Sequence, residues 1–230
     1  MKRIAVAIDG PAAAGKSTIA KLVAKELGFT YIDTGAMYRC VTWFSLNRGV
    51  DCQNETEVCK LIKDVTIDLL PDGHVLCNGI DVTREIRSIE VADNVSYIAS
   101  YKDVRLHLVK LQRDMAKKAS VVMDGRDIGT YVLPNAEVKI FQVASVHTRA
   151  LRRYEENLSK GIICELEEIE EQLKKRDYID SHRDFAPLTK ASDAIEVDTS
   201  LLTIDEVVEK MLSIINERIG DNLWVCLQYV

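Results

Sequence analysis

No Cys-x-x-Cys pair occurs in the 230 residues, although six cysteines are present (Cys40, Cys52, Cys59, Cys77, Cys164, Cys226). Thiols spaced in this way form neither a zinc framework nor a disulfide scaffold, and reduced thiols of a cytoplasmic protein are expected. No stretch is apolar for long enough to cross a bilayer. The opening MKRIAVAIDG has only five apolar residues between its basic pair and Asp9, too few for the core of a secretion signal. Positive charge is in deficit: 30 Lys and Arg against 36 Asp and Glu leave a net charge of −6. That excludes a broad nucleic-acid footprint, so any anion must be gripped locally by clustered arginines. Low-complexity linkers and internal repeats are missing. The guanine-reading sequence Asn-Lys-x-Asp is missing too, which weighs against a switch GTPase. A monomer with no nucleic-acid or membrane partner is expected.

The composition, 47% hydrophobic and 29% charged, is that of an ordinary globular chain, long enough for one large domain or a core with a small insert. Its sharpest local signal is GPAAAGKST, residues 10–18. Gly10, Pro11, Ala12, Ala13, Ala14, Gly15, Lys16 and Ser17 fit the phosphate-loop pattern G-x-x-x-x-G-K-[ST], and Thr18 completes the stretch. The apolar run Ile4–Ile8 precedes it as a buried strand. An amphipathic helix follows, with Ile19, Leu22, Val23 and Leu27 on one face and Gly28 as its stop. Strand, Gly-rich loop and helix in that order are the context the motif needs. The glycines let backbone N–H groups turn inward, where with the helix N-terminus they bind phosphate oxygens. Lys16 reaches the outer phosphates of ATP, and Ser17 offers its hydroxyl to Mg²⁺.

Beyond the loop, the pattern predicts strands at 29–33, 121–124, 138–143 and 194–198. Helices are expected at 37–48, 89–100, 103–118, 146–160, 165–181 and 204–218. Two turn signals, Pro71-Asp72-Gly73 and Asn78-Gly79, interrupt this alternation with an antiparallel meander. Residues 62–100 therefore read as an insert forming a small lobe. The fold class is α/β: a three-layer parallel sheet with a phosphate loop after its first strand, enlarged by a small antiparallel sheet and helices. The uncharged tail NLWVCLQYV, residues 222–230, has no assigned role.

In an open α/β sheet the ligand lies beyond the carboxyl ends of the strands. Those ends carry Asp9-Gly10, Asp33-Thr34-Gly35 and DGRDIG (Asp124, Gly125, Arg126, Asp127, Ile128, Gly129). DGRDIG reads either as a surface turn with an internal ion pair or as an arginine for phosphate beside acids for Mg²⁺ waters or substrate. Arg39 falls near the same mouth. Arg176, Asp180 and Arg183 share one helix face; they read as a solvated ion-pair network or as part of the site. Arg149, Arg152 and Arg153 read equally as a solvated helix or as a mobile lid. Arginines from several segments converging on one phosphate loop suit a second, phosphorylated substrate.

IDGPAAAGKST, IDTGAMYR, DVTREIRSIEVADNVSYIAS, VR…LQR, DGRDIGT, VKIFQVAS and RDYIDSHRDFAPL together resemble bacterial cytidylate kinase, in order from about residue 3 to 215. The resemblance implies transfer of a phosphoryl group from ATP to CMP or dCMP with Mg²⁺. It implies one kinase domain, with a monophosphate-binding lobe at about 36–105 and a short lid at about 149–165. The loop Gly10–Thr18 would bind ATP, and Lys16, Arg126 and Arg183 would be catalytic. Arg39 and Arg126 would hold the CMP phosphate; Ser96, Arg105 and Asp127 would face the cytosine; Arg176 and Asp180 would reach the ribose. Thr34, Tyr38 and Asp124 would complete the acceptor site, Thr34 standing where the family commonly has Ser. The alternatives are a related kinase for another monophosphate or a small alcohol, and a nucleotide-dependent switch or binding module without acceptor chemistry.

Overall fold

The structure, a computed structural model, describes residues 3–159 and 161–220; the apolar tail at 222–230 lies outside them. The chain begins β1 (Ala5–Asp9), α1 (Lys16–Leu27), β2 (Thr30–Asp33) and α2 (Thr34–Asn47). Next come α3 (Glu55–Leu61), β3 (Ile67–Leu69), β4 (Val75–Cys77), β5 (Ile80–Asp81), α4 (Ile89–Ser100) and α5 (Lys102–Ala116). The last part is β6 (Val121–Gly125), a π-helical turn (Ile128–Val132), β7 (Val138–Val143), α6 (Val146–Ser159), α7 (Leu166–His182), β8 (Ile195–Asp198) and α8 (Ile204–Ile219).

Five strands form a sheet in the order β2-β6-β1-β7-β8, and every pair in it is parallel. Val6, Ala7 and Ile8 in the central strand are fully buried, because helices cover both faces and neither face tolerates a polar side chain. On one face, α1 packs Ile19, Ala20, Val23, Ala24 and Leu27 with Met211 and Ile215 of α8. Each large side chain buried there contributes roughly 1.5–3 kcal/mol. Gly28 stops α1 in a left-handed conformation, its N–H reaching back to Ala24 and Lys25 carbonyls. A capping box between Thr203 and Glu206 starts α8. Val109 of α5 packs on the opposite face with Ile32, Val121 and Met123.

The insert has its own antiparallel sheet, β3-β4-β5. Asn78 and Gly79 join β4 to β5 as the sequence predicts, both with positive φ (51° and 76°), as a two-residue hairpin of right-handed twist requires. Residues of α2, α4 and α5 and of this sheet share a separate core, which includes Met37, Val41, Ile86, Ile98 and Leu108. Two elements differ from expectation. A helix not predicted, α3, buries only Val58 and so carries almost no periodic signal, although Asn54 caps it. DGRDIG is more than a strand-end turn: Asp124 and Gly125 end β6, Arg126 and Asp127 leave the sheet, and Ile128 and Gly129 begin the π-helical turn.

Candidate active site

The carboxyl ends of β1, β2 and β6 open on one cavity of about 320 Å³. Its floor is the phosphate loop. Gly10 has φ +150°, and a Cβ there would stand 2.0 Å from the Gln142 carbonyl oxygen, so the loop can approach β7 only with glycine. Gln142 returns the contact, its Nε2 donating to the Ala14 carbonyl at 2.6 Å. Lys16 is buried, and its ammonium donates to the Pro11 carbonyl at 2.6 Å. Burial, then repulsion from Arg126, pushes the Lys16 pKa well down, while Asp124 and Asp9 oppose the shift.

Asp124, at the end of β6, ties the loop to the next strand. Its carboxylate accepts from Ser17 Oγ at 2.8 Å and from the Tyr31 hydroxyl at 2.9 Å. Thr34 at the start of α2 donates to the Asp124 carbonyl at 2.6 Å. Burial, then repulsion from Asp33, raises the Asp124 carboxyl to about 6. Ser17 and Asp124 thus form an oxygen pair whose negative charge is underpaid, the kind of donor set that suits a hard divalent cation.

Arginines crowd the middle of the cavity, Arg39, Arg87, Arg126, Arg153, Arg176 and Arg183 among its lining. Arg39 is pushed down to about 9 by burial and by repulsion from Arg176, and then from Arg153 and Arg87. Arg176 is pushed down to about 10 by burial and then by Arg126. Cations that depress one another in a closed space favour an anion between them. Arg126 Nε donates to Asp180 Oδ2 at 2.8 Å. Burial opposes ionisation of Asp180, yet Arg126, Arg176 and Arg183 together hold its carboxyl below the usual range.

The far end is a buried network of acid and arginines. Arg105, 1% exposed, pairs through Nη2 with Asp127 Oδ2. Its Nη1 donates to the Ala99 carbonyl at 3.0 Å. Arg183 approaches the other Asp127 oxygen at 3.4 Å and donates to the Ala186 carbonyl at 2.6 Å. The Tyr38 ring stands 5.4 Å from the Arg105 guanidinium carbon. The Tyr38 hydroxyl and the Nε atoms of Arg105 and Arg176 are buried without a hydrogen-bond partner among the described residues. Ser96 and Val95 of α4 complete this wall.

The family model for cytidylate kinase matches residues 6–217. The chain belongs to the cytidylate kinase family. It is 54% identical over 222 residues to a cytidylate kinase of Geobacillus kaustophilus, covering 95% of this chain and 99% of that one. It is 53% identical over 221 residues to one of Anoxybacillus flavithermus, covering 95% and 98%. Among solved structures, a protein of Eubacterium ventriosum superposes with a TM-score of 0.53 at 15% identity, over 94% of this chain and 100% of that one. A gluconokinase from Sinorhizobium meliloti superposes with 0.51 at 13% identity over the whole of both chains. At such identities the likeness concerns the fold alone.

In this chain, Ala13–Thr18, Thr34, Tyr38, Arg39, Ser96, Arg105, Asp124, Arg126, Asp127, Arg176, Asp180 and Arg183 all line the one cavity. Gly10, Pro11 and Ala12 shape the loop behind it. The three arginines of α6 part company. Arg149 is buried and donates through Nε to the Ala144 carbonyl at 3.0 Å and through Nη1 to the Ala12 carbonyl at 3.0 Å and to Asp177 at 2.6 Å; a solvated helix does not describe it. Arg152 donates to the Ala14 and Thr199 carbonyls at 3.3 and 2.6 Å. Arg153 lines the cavity. Sequence reasoning missed Asp177, which also accepts from the Ala12 N–H at 3.2 Å. It missed Arg87 as a cavity residue and gave no role to the Asp9 carboxylate. Arg87 had only its place in an Arg-rich stretch as a signal; for the two acids nothing local signals a backbone partner more than a hundred residues away.

Proposed function

We propose that the protein transfers the γ-phosphoryl group of ATP to CMP or dCMP, giving ADP and CDP or dCDP. The observation that carries this reading is the continuity of the cavity. It runs from the phosphate-loop amides, past the crowded cations, to the Asp127–Arg105 pair. A triphosphate at one end and a nucleoside monophosphate at the other place their phosphates toward the same arginines.

The loop amides and the N-terminus of α1 hold the donor phosphates. Lys16, released from the Pro11 carbonyl, follows the charge that moves to the departing β-phosphate oxygens. Arg39 and Arg126 hold the acceptor phosphate in line, with Arg176 and Arg183 adding positive charge around it. Asp180 keeps Arg126 oriented and, with Arg176, reaches the ribose. Ser96, Arg105 and Asp127 read the base: cytosine offers an N4 amino donor to the carboxylate and N3 and O2 acceptors to the guanidinium. Ser17 and Asp124 would hold the Mg²⁺ that accompanies ATP, which neutralises charge on the transferring group. The segments at 36–105 and 149–165 serve as monophosphate lobe and lid.

The protein acts as a cytoplasmic monomer on small molecules, with no nucleic-acid partner; the free thiols of Cys40, Cys52, Cys59, Cys77 and Cys164 support a reducing compartment. Among the described residues, no helix is long and apolar enough to cross a membrane. Incubation with ATP, Mg²⁺ and CMP, followed by ³¹P NMR, tests the reaction. Equal appearance of ADP and CDP resonances is expected; ADP with inorganic phosphate instead would mark a hydrolase and overturn it.

A further inference from the structure

We propose that Asp9 is a positioning residue for this transfer, its carboxylate fixing the Arg126–Asp127 segment against the phosphate loop. The inference rests on the reading of the reaction given above. Asp9 is the last residue of β1, and its chain neighbour Gly10 opens the loop that receives the donor. Its Oδ1 accepts from the Ile128 N–H at 2.8 Å, and its Oδ2 from the Gly129 N–H at 2.7 Å. One side chain therefore joins the element that grips the donor to the element that grips the acceptor.

The tie falls where the sheet stops helping. Asp9 faces Gly125 as the last partner pair of the β1–β6 ladder. Beyond it, Arg126 and Asp127 leave the sheet, and the π-helical turn starts with amides that have no partner inside the turn. That turn closes on the Asp127 carbonyl, which accepts from Tyr131 and Val132 at 2.8 and 3.0 Å. Asp127 is thus held from one side by its own turn and from the other through the two amides on Asp9. The fit is close: a Cβ on Gly129 would stand 3.4 Å from Asp9 Oδ2 and 3.1 Å from the Lys139 side chain.

The charge has a cost that packing alone does not justify. Burial pushes the Asp9 carboxyl up to about 7, although both amides, and more weakly Lys16, favour the ionised form and Asp127 opposes it. A strand end that needed only to be filled would be served better by a neutral side chain. The Ile128 and Gly129 amides point at separate oxygens of the Asp9 carboxylate, and in asparagine one of those two positions is an NH₂ donor.

Asp9→Asn keeps the shape and one oxygen but turns an NH₂ toward one of the amides; Asp9→Ala removes both acceptors. With Asp9→Asn, kcat for CMP falls about 10–100-fold, as expected of a displacement of about an ångström at the acceptor grip. The CMP KM rises while ATP affinity, measured by calorimetry, stays within about threefold. Asp9→Ala loses more. In ¹H–¹⁵N spectra the Ile128 and Gly129 amide protons move upfield in both variants. A folded Asp9→Asn with wild-type kcat and CMP KM overturns the proposal. So does a loss of ATP and CMP affinity in equal measure, which marks Asp9 as a support of the phosphate loop only. Should Asp9→Ala not fold, Asp9→Asn decides alone. If wild-type protein does not phosphorylate CMP, the reading of the reaction fails, and the two amide shifts still report on the anchor.

Discussion

Arg105→Met removes the guanidinium from the buried end of the cavity at nearly constant volume. The wild-type side chain has two fixed partners, Asp127 Oδ2 through Nη2 and the Ala99 carbonyl through Nη1. Neither is wholly abandoned, because Arg183 stands 3.4 Å from the Ala99 carbonyl and 3.4 Å from Asp127 Oδ1. Breaking a buried ion pair by deleting one partner costs about 3–5 kcal/mol. With Arg183 still beside both stranded acceptors, a loss nearer the ~1–3 kcal/mol of one unsatisfied polar group is expected. Folding therefore survives, with melting lowered by a few degrees. Catalysis suffers in a base-dependent way. CMP loses a donor to its N3 or O2 edge, and its kcat/KM falls by roughly 10²-fold, about 2.7 kcal/mol. UMP, whose N3–H already opposed the guanidinium, loses less than about tenfold. Steady-state kinetics at saturating ATP, with melting followed by circular dichroism, gives both numbers. Equal losses for CMP and UMP would remove Arg105 from base reading and leave it a structural partner of Asp127.

Lys16→Met abolishes transfer with the circular dichroism spectrum intact; near wild-type turnover would take the ammonium out of the mechanism. Arg126→Ala lowers kcat by about 10²–10³, the usual loss for one donor to a developing oxyanion, with ATP binding little changed. Normal CMP turnover with much weaker ATP binding would contradict its place at the acceptor phosphate. For Asp9 the sign of the pH effect is fixed by a folded-state pKa raised to about 7 from an ordinary value of 3.8. The stability linked to that raised pKa is complete below the ordinary value and is lost as pH rises through about 7. Asp9→Asn does not titrate, so its melting deficit against wild type narrows between pH 4.5 and 8; a constant or widening deficit would refute the burial argument.

The phosphate loop, the parallel sheet and the hairpin at Asn78-Gly79 were legible because each is encoded locally. A Gly-Lys-Ser sequence between a strand and a helix, or two residues that accept positive φ, carries its own geometry. Arg39 and Arg126 were legible at the strand-end mouth and Arg176 and Arg183 as one helix face open to two readings, whereas Arg105 entered only through the order of motifs shared with a family. No spacing rule brings Arg105 to Asp127. The supports of the site were not legible at all. Arg149 in sequence looks like one more charge on a polar helix, yet it is buried because the loop carbonyl of Ala12 and the Asp177 carboxylate need a donor. Asp9 on both oxygens, and Asp177 on one of its two, accept from backbone amides, which are present in nearly every residue and leave no signature. The π-helical turn after β6 arises where Asp127 closes it with its carbonyl, a tertiary choice that DGRDIG does not encode.

The most direct test of the account is acceptor choice in the wild-type protein, read as ADP release with CMP, dCMP, UMP, AMP and shikimate under one set of conditions. Facing uracil, the Asp127 carboxylate meets a lone pair and the Arg105 guanidinium meets an N–H, and two unpaired buried groups cost roughly 2–6 kcal/mol. CMP and dCMP should therefore exceed UMP by at least ~30-fold in kcat/KM, the lower end of that range. Equal rates for CMP and UMP would contradict the pocket assignment, and AMP or shikimate as the best acceptor would contradict the proposed reaction itself.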